Sequence, residues 1–252
     1  MEAEAPSRNL GESFQQLFEL VPALDAKTRT EVFHVRHEVY CRDLGWEPVR
    51  EDELETDAFD AQSIHLLLRL RRTAQPVGCT RLILTKPAAP AEPLPFEASC
   101  AEALDRSRID PAGLPRERIG EVSRLAVMRD FRQRKGEERK AIALSDDDFE
   151  PRGTQSRFPF IPVSLYLGVA AIGYRLGLSH VFLLTEPRLG QHFARMGFGI
   201  EPIGEAIEHR GVRAPSVLRA DTFRQGLRPL VRPLFEAIEA ELGSAYLAAA
   251  PA

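Results

Sequence analysis

Cysteine is scarce in this sequence: three residues, Cys41, Cys79 and Cys100, lie far apart with no C-x-x-C pair. An odd, scattered set excludes a disulfide framework and a paired-thiol zinc site, and it fits a reducing compartment. Tryptophan is scarcer still, with Trp46 alone. No apolar run is long enough to cross a bilayer. The longest, residues 161–174, is interrupted by Ser164 and Gly168 and is expected to be a buried helix. The opening Met-Glu-Ala-Glu-Ala-Pro has neither the basic start nor the apolar stretch of a signal peptide, so a cytoplasmic location is expected. A large charge excess is missing too: the net charge is −4, which argues against a general nucleic-acid binder.

What is present is an ordinary folded composition, 44% hydrophobic and 28% charged, in 252 residues. That length is enough to bury a core without covalent staples. Residues 25–42 carry Val32, Val35 and Val39 on one face, with Phe33 and Tyr40 on a neighbouring stripe, and predict an amphipathic helix ending before Gly45. Leu- and Ile-rich runs at 63–71 and 78–85 predict a strand hairpin. Prolines punctuate 86–118 and leave room for a short helix at 97–104. A strand is expected at 119–128, followed by a charged insertion at 129–157. A helix opened by Pro162 and running to about Leu178 precedes a strand at 180–185, then a helix from Pro187 to Gly197. An antiparallel hairpin, 200–208 with 212–220, and a closing helix over 222–242 complete the order. This predicts an α/β fold of mixed α+β kind, with a mixed central sheet and helices on both faces. The expected division is an extension over residues 1–24, one domain over 25–222, and a C-terminal helix and tail over 223–252.

Two groups of motifs carry a resemblance. Leu183-Leu184-Thr185-Glu186, Gln191-His192-Phe193 and Arg195-Met196-Gly197-Phe198 look like the last third of a GNAT acyltransferase, where a strand feeds a helix ending in a Gly-Phe turn. Arg36, Trp46, Asp57-x-x-Asp60, Arg81 within Gly78-Cys79-Thr80-Arg81-Leu82, and Glu121-Val122-Ser123-Arg124 occur in an order that resembles the acyl-homoserine-lactone synthases. That GNAT-like family couples an acyl carrier protein thioester to S-adenosylmethionine. The same pattern resembles the long-chain N-acyl amino acid synthases, and the Pro-rich excursion looks most like the PEP-CTERM/exosortase-associated acyltransferases. The resemblance spans roughly residues 31–220 and implies a GNAT-like sheet whose central strands splay to form the cleft. It implies an N-acyltransferase that moves a fatty acyl group from a carrier thioester to the amine of an amino acid or related small molecule. Acyl carrier protein would be the donor's carrier and partner, coenzyme A the other source, with no tightly bound cofactor. A homoserine-lactone synthase using S-adenosylmethionine, or a GNAT-like regulator without catalysis, are the alternatives.

Amide formation needs a neutral amine, a polarised carbonyl and a route for the proton. The resemblance implies Glu121 as proton acceptor. A structural ion pair with Arg124 or Arg81 is the other reading of that carboxylate. Arg124 and Arg81 would supply fixed charge near the carbonyl or the acceptor's carboxylate, and Ser123 would orient its neighbours. GNAT-like folds usually stabilise the oxyanion with a strand N–H, here at Leu125 or Ala126. Arg36, Trp46, Asp57 and Asp60 would form the acceptor side; read alone, they are equally a helix face, a core indole and turn formers.

The Q/R-x-x-G-x-G/A pyrophosphate loop of typical GNAT enzymes is replaced after Val127 by a basic run with a single glycine, Gly136. That departure counts against coenzyme A. Arg129, Arg132, Arg134 and Lys135, with Arg139 and Lys140, could instead dock an acidic carrier protein, or form a solvated loop. His34 and His37, three apart without ligand partners, are expected at the surface, and no metal is expected. Asp146-Asp147-Asp148 completes no calcium loop.

Overall fold

The computed structural model describes residues 9–132 and 158–249. Its centre is one open sheet. The strands are β1 (Phe18–Pro22), β2 (Ser63–Leu70), β3 (Pro76–Leu84), β4 (Ile119–Val127), β5 (His180–Thr185), β6 (Ile200–Pro202), β7 (Ile207–Glu208) and β8 (Val212–Arg219). They lie in the order β1-β2-β3-β4-β5-β8-β6, with β7 also pairing β8. Every pairing is antiparallel except β4 with β5.

Helices cover both faces. On one side, α1 (Leu10–Leu17), α4 (Phe160–Arg175) and α7 (Arg232–Ala249) share an apolar core with β1, β2 and β4. α4 is apolar all round and buried from Pro162 to Gly173, because it lies between the sheet and α7. Gly168 permits that approach: a Cβ there would meet Leu20 Cδ2 at 2.4 Å. α2 (Ala26–Arg36) packs Val32 and Val35 over Leu67 and Cys79 on the other face. Asp25 caps α2, its carboxylate accepting from the Thr28 N–H at 2.8 Å. α3 (Pro95–Ser99) seats Phe96 on Phe182 of β5 with ring centroids 4.4 Å apart. α5 (Pro187–Arg195) and α6 (Ala220–Gly226) meet at Gly197.

Several expectations change. The helix from residue 25 leaves α-geometry at His37 and finishes as a π-helical stretch, His37–Asp43, which turns Tyr40 toward the centre of the sheet. His37 is buried, its Nε2 accepting from the Arg50 N–H at 3.2 Å, while His34 is exposed as expected. The short helix begins at Pro95 and ends at Ser99 instead of covering 97–104. The closing helix is two helices, α6 and α7, separated by a segment containing Pro229, which cannot continue the hydrogen-bond ladder. Within the expected extension, the described residues 9–24 belong to the fold, since β1 is the edge strand on β2 and α1 packs on α7.

Candidate active site

Only the first part of β4 pairs with β5. Their parallel register runs from Ile119–His180 to Val122–Leu183 and stops there, although β4 continues to Val127. The strands therefore part, and the edge of β4 beyond Val122 faces a cleft. Beside the split, β4 bulges: Ser123 pairs with Arg81 and Ala126 with Cys79, so Arg124 and Leu125 together oppose Thr80. Arg124 has φ of 52°, in the left-handed region that an arginine rarely adopts. The Tyr40 hydroxyl donates to the Leu125 carbonyl at 2.9 Å and holds the bulge against the π-helical turn.

A cavity of about 460 Å³ opens at this point. One part of its wall is apolar, with Val122, Leu125, Tyr166, Leu183, Leu184 and Leu189. The other is charged.

Under the charged wall lies an ion-pair network. Arg36, with no exposed surface, donates through Nε to Glu55 and through Nη1 to Asp60 Oδ1 at 2.6 Å. Arg81 Nη1 reaches Asp57 Oδ1 and Asp60 Oδ1, each at 2.6 Å, and its Nε donates to Ser123 Oγ at 2.8 Å. Arg124 Nη2 lies 3.0 Å from Glu55 and 3.1 Å from Asp57. Burial alone would raise these carboxyls, but the hydrogen bonds and charge of Arg81 and Arg124 outweigh it at Asp57 and hold it down to about 2. Arg36 and Arg124 depress Glu55 against its burial in the same way, and Arg36 and Arg81 depress Asp60. Asp57 and Asp60 also form a turn: Asp60 Oδ2 accepts from the Asp57 N–H at 2.7 Å and Asp57 Oδ1 from the Phe59 N–H at 2.9 Å. Asp57 and Asp60 are thus the turn formers that one reading of the sequence expected, and the same two carboxylates also hold Arg81.

Glu121 is different. Its Oε2 accepts from the Phe96 N–H at 2.8 Å, at the first turn of α3, and it takes no part in the ion pairs above. Burial pushes its carboxyl up to about 8, against the pull of the Phe96 N–H and of Arg81. The cavity thus has one carboxyl that is mostly protonated at neutral pH beside others that stay ionised.

At the mouth, Trp46 stacks on Tyr40 with centroids 5.8 Å apart. Arg210 and Arg213, from the β7–β8 hairpin, each lie 5.9 Å from the indole centroid. Arg210 Nη2 pairs with Glu47 Oε1 at 2.5 Å, and Arg124 approaches the same oxygen at 3.4 Å.

Residues 35–140 match the family model described as "Acetyltransferase (GNAT) domain". TofI, in a ternary complex with an inhibitor and MTA, superposes with a TM-score of 0.58 at 17% identity, over 84% of this chain and 98% of its own. BjaI with MTA, a CoA-dependent acyl-homoserine lactone synthase, gives 0.54 at 20%, over 88% and 90%. FeeM, an N-acyl amino acid synthase from uncultured soil microbes, gives 0.52 at 11%, over 83% and 94%. The chain has the GNAT fold. No curated protein sequence matches it.

Within the GNAT fold, the expected site residues Arg36, Asp57, Asp60, Arg81, Ser123 and Arg124 form one connected network, with Trp46 and Glu121 on the cavity wall beside it. The basic run is another matter. Arg129 is 78% exposed, but the Arg132 side chain is 5% exposed and paired with Asp43, so Arg132 does not present its charge to a docking surface. Arg134 and Lys135, with Gly136, Arg139, Lys140 and the Asp146–Asp148 run, lie outside the described residues. Sequence reasoning missed Glu55, Glu47, Tyr40, Arg210 and Arg213. Glu47 and Glu55 sit in an acidic stretch of no fixed period, which reads like any solvated loop. The hairpin that carries Arg210 and Arg213 was expected, but nothing in its sequence sets these two arginines apart from other surface charges.

Proposed function

We propose that the cleft between β4 and β5 transfers a fatty acyl group from a carrier thioester to the amine of an amino acid or related small molecule. The observation that carries this reading is Glu121: a carboxyl with a raised pKa on the wall of a cleft, beside a strand edge that has lost its partner. The GNAT domain match supports acyl transfer as the reaction class.

In the step proposed, the amine nitrogen attacks the thioester carbonyl and a C–N bond forms. The carbonyl oxygen takes up negative charge, which main-chain N–H groups near the bulge at Arg124–Leu125 would stabilise. Glu121 accepts the amine proton, the C–S bond breaks, and the carrier thiolate leaves and is protonated. Arg81 and Arg124 keep Asp57 ionised, so that it can attract the acceptor's ammonium before the proton is lost. Val122, Leu125, Leu183 and Leu189 offer an apolar bed to the acyl chain. The donor's pantetheine arm is common to acyl carrier protein and coenzyme A; the missing glycine-rich loop favours the carrier protein. The narrower likeness to the PEP-CTERM/exosortase-associated enzymes rests on sequence alone.

The test is product analysis with purified protein, an acyl carrier protein thioester or acyl-coenzyme A, and a panel of amino acids. An N-acyl amino acid that forms faster from the carrier thioester supports the reading. Lactone and methylthioadenosine, formed only with S-adenosylmethionine, would assign the homoserine-lactone reaction instead. Arg129→Glu should slow the carrier-protein donor more than a short synthetic thioester, and equal effects on both would remove carrier docking.

A further inference from the structure

The charged side chains at the cavity mouth are not equally occupied. Asp57 already serves Arg81 and Arg124 and the Phe59 N–H, and Glu55 serves Arg36 and Arg124. Arg213 is held less closely. Its Nε donates to the His209 carbonyl at 3.0 Å, while its Nη2 is 3.5 Å from Glu186, against 2.6 Å for Arg81 to Asp57. Both Arg213 and Glu186 line the cavity.

Arg210 adds a second cation on the same side. It sits at the hairpin tip with φ of 53°, followed by Gly211 at 100°, a turn that turns the chain back into β8. One oxygen of Glu47 bridges it to Arg124 of β4. The mouth is therefore polarised. Toward the hairpin, two guanidiniums flank the indole of Trp46; toward β4, the carboxylates Glu47 and Asp57 face the reacting edge.

We infer that Arg213 and Arg210 bind the carboxylate of the acceptor, so that the site selects a zwitterionic amino acid over a simple amine. A guanidinium is the fitting group, because its planar fork matches two carboxylate oxygens. With the carboxylate on the hairpin and the ammonium toward Glu47 and Asp57, the acceptor nitrogen is directed at β4. Binding also supplies Arg210 with a replacement for Glu47, freeing that side chain to meet the ammonium. A molecule lacking the carboxylate gains nothing from either arginine. This inference rests on the reading of the cavity as an amine-acceptor site.

Trp46 is the chain's single tryptophan, lines the cavity and lies against both arginines, so its fluorescence reports occupancy without turnover. The experiment titrates the protein with glycine, leucine, phenylalanine and glutamate, each beside its α-carboxamide. At least one amino acid should give a saturable change and bind tenfold or more tightly than its carboxamide. Arg213→Gln should abolish that preference by weakening the amino acid alone, and Arg210→Asn, at an exposed turn where asparagine accepts positive φ, should reduce it. Equal binding of acid and carboxamide, no response to any probe, or a preference that survives in both variants would overturn the inference. Failure of the acyl-transfer reading looks different: amino acids bind with the predicted preference, and no N-acyl product forms.

Discussion

Glu121 and Asp57 stand on the wall of one cavity, and their surroundings push them in opposite directions. Glu121 meets one N–H and apolar packing; Asp57 meets two guanidiniums. In the proposed role of proton acceptor, Glu121 must first be ionised, so turnover should rise with pH through about 8. Glu121→Gln should lower kcat by roughly 10²–10⁴-fold, leave the acceptor KM almost unchanged, and remove that rise. Near-full turnover in the variant would reduce Glu121 to a support for α3. Asp57 and Asp60 separate as well, since Asp57 lines the cavity whereas Asp60 lies beneath it between Arg36 and Arg81. Asp57→Asn should raise the acceptor KM with kcat little changed. Asp60→Asn leaves two buried arginines underpaired and should cost roughly 3–5 kcal/mol of stability in urea unfolding. The pairing Asp57-x-x-Asp60 was legible in the sequence, but this division of labour was not. It depends on which carboxylate the turn directs inward, and residue identity does not encode that.

At the scale of elements, the most legible features were those set by local chemistry. β4 and β5 stand within a residue of their expected limits, because Leu- and Val-rich runs bounded by turn residues read the same in isolation as in the sheet. The Gly-Phe ending of α5 was legible too, and the structure explains it. Gly197 has φ of 83°, and a Cβ there would lie 2.0 Å from the Gly226 carbonyl oxygen. Phe198 then stacks on Phe193 with centroids 4.9 Å apart. Gly197→Ala should therefore destabilise the protein by roughly 2–5 kcal/mol, combining backbone strain with a steric clash, as a denaturant midpoint would record. Less legible was β1. Its five residues, Phe-Glu-Leu-Val-Pro, are too few for a pattern and become a strand only because β2 offers an edge. The π-helical turn at His37–Asp43 escaped for a similar reason, since its sequence continues the helical stripe and only packing against β4 widens it.

For the whole molecule, these opposed carboxyls shape stability as a function of pH. Asp57, Asp60 and Glu55 titrate lower in the folded state than in the unfolded chain, so the stability they give is present above their ordinary carboxylate range and is lost as pH falls below it, for Asp57 through about 2. Glu121 works the other way. Raised from 4.5 to about 8, it contributes stability fully below pH 4.5 and loses it as pH rises through 8, by at most about 1.4 kcal/mol per pH unit. Glu121→Gln, which mimics the protonated group, should gain stability relative to the native protein between pH 5 and 9 when urea midpoints are compared. A constant difference across that range would contradict the burial argument. The central claim is that the split between β4 and β5 makes an amide, and mass spectrometry of lipid extracts tests it most directly. A bacterial host expressing the native chain should contain an N-acyl amino acid absent from the empty host and reduced at least about 100-fold with Glu121→Gln; no new N-acyl species, or an equal amount from the folded variant, would contradict the account.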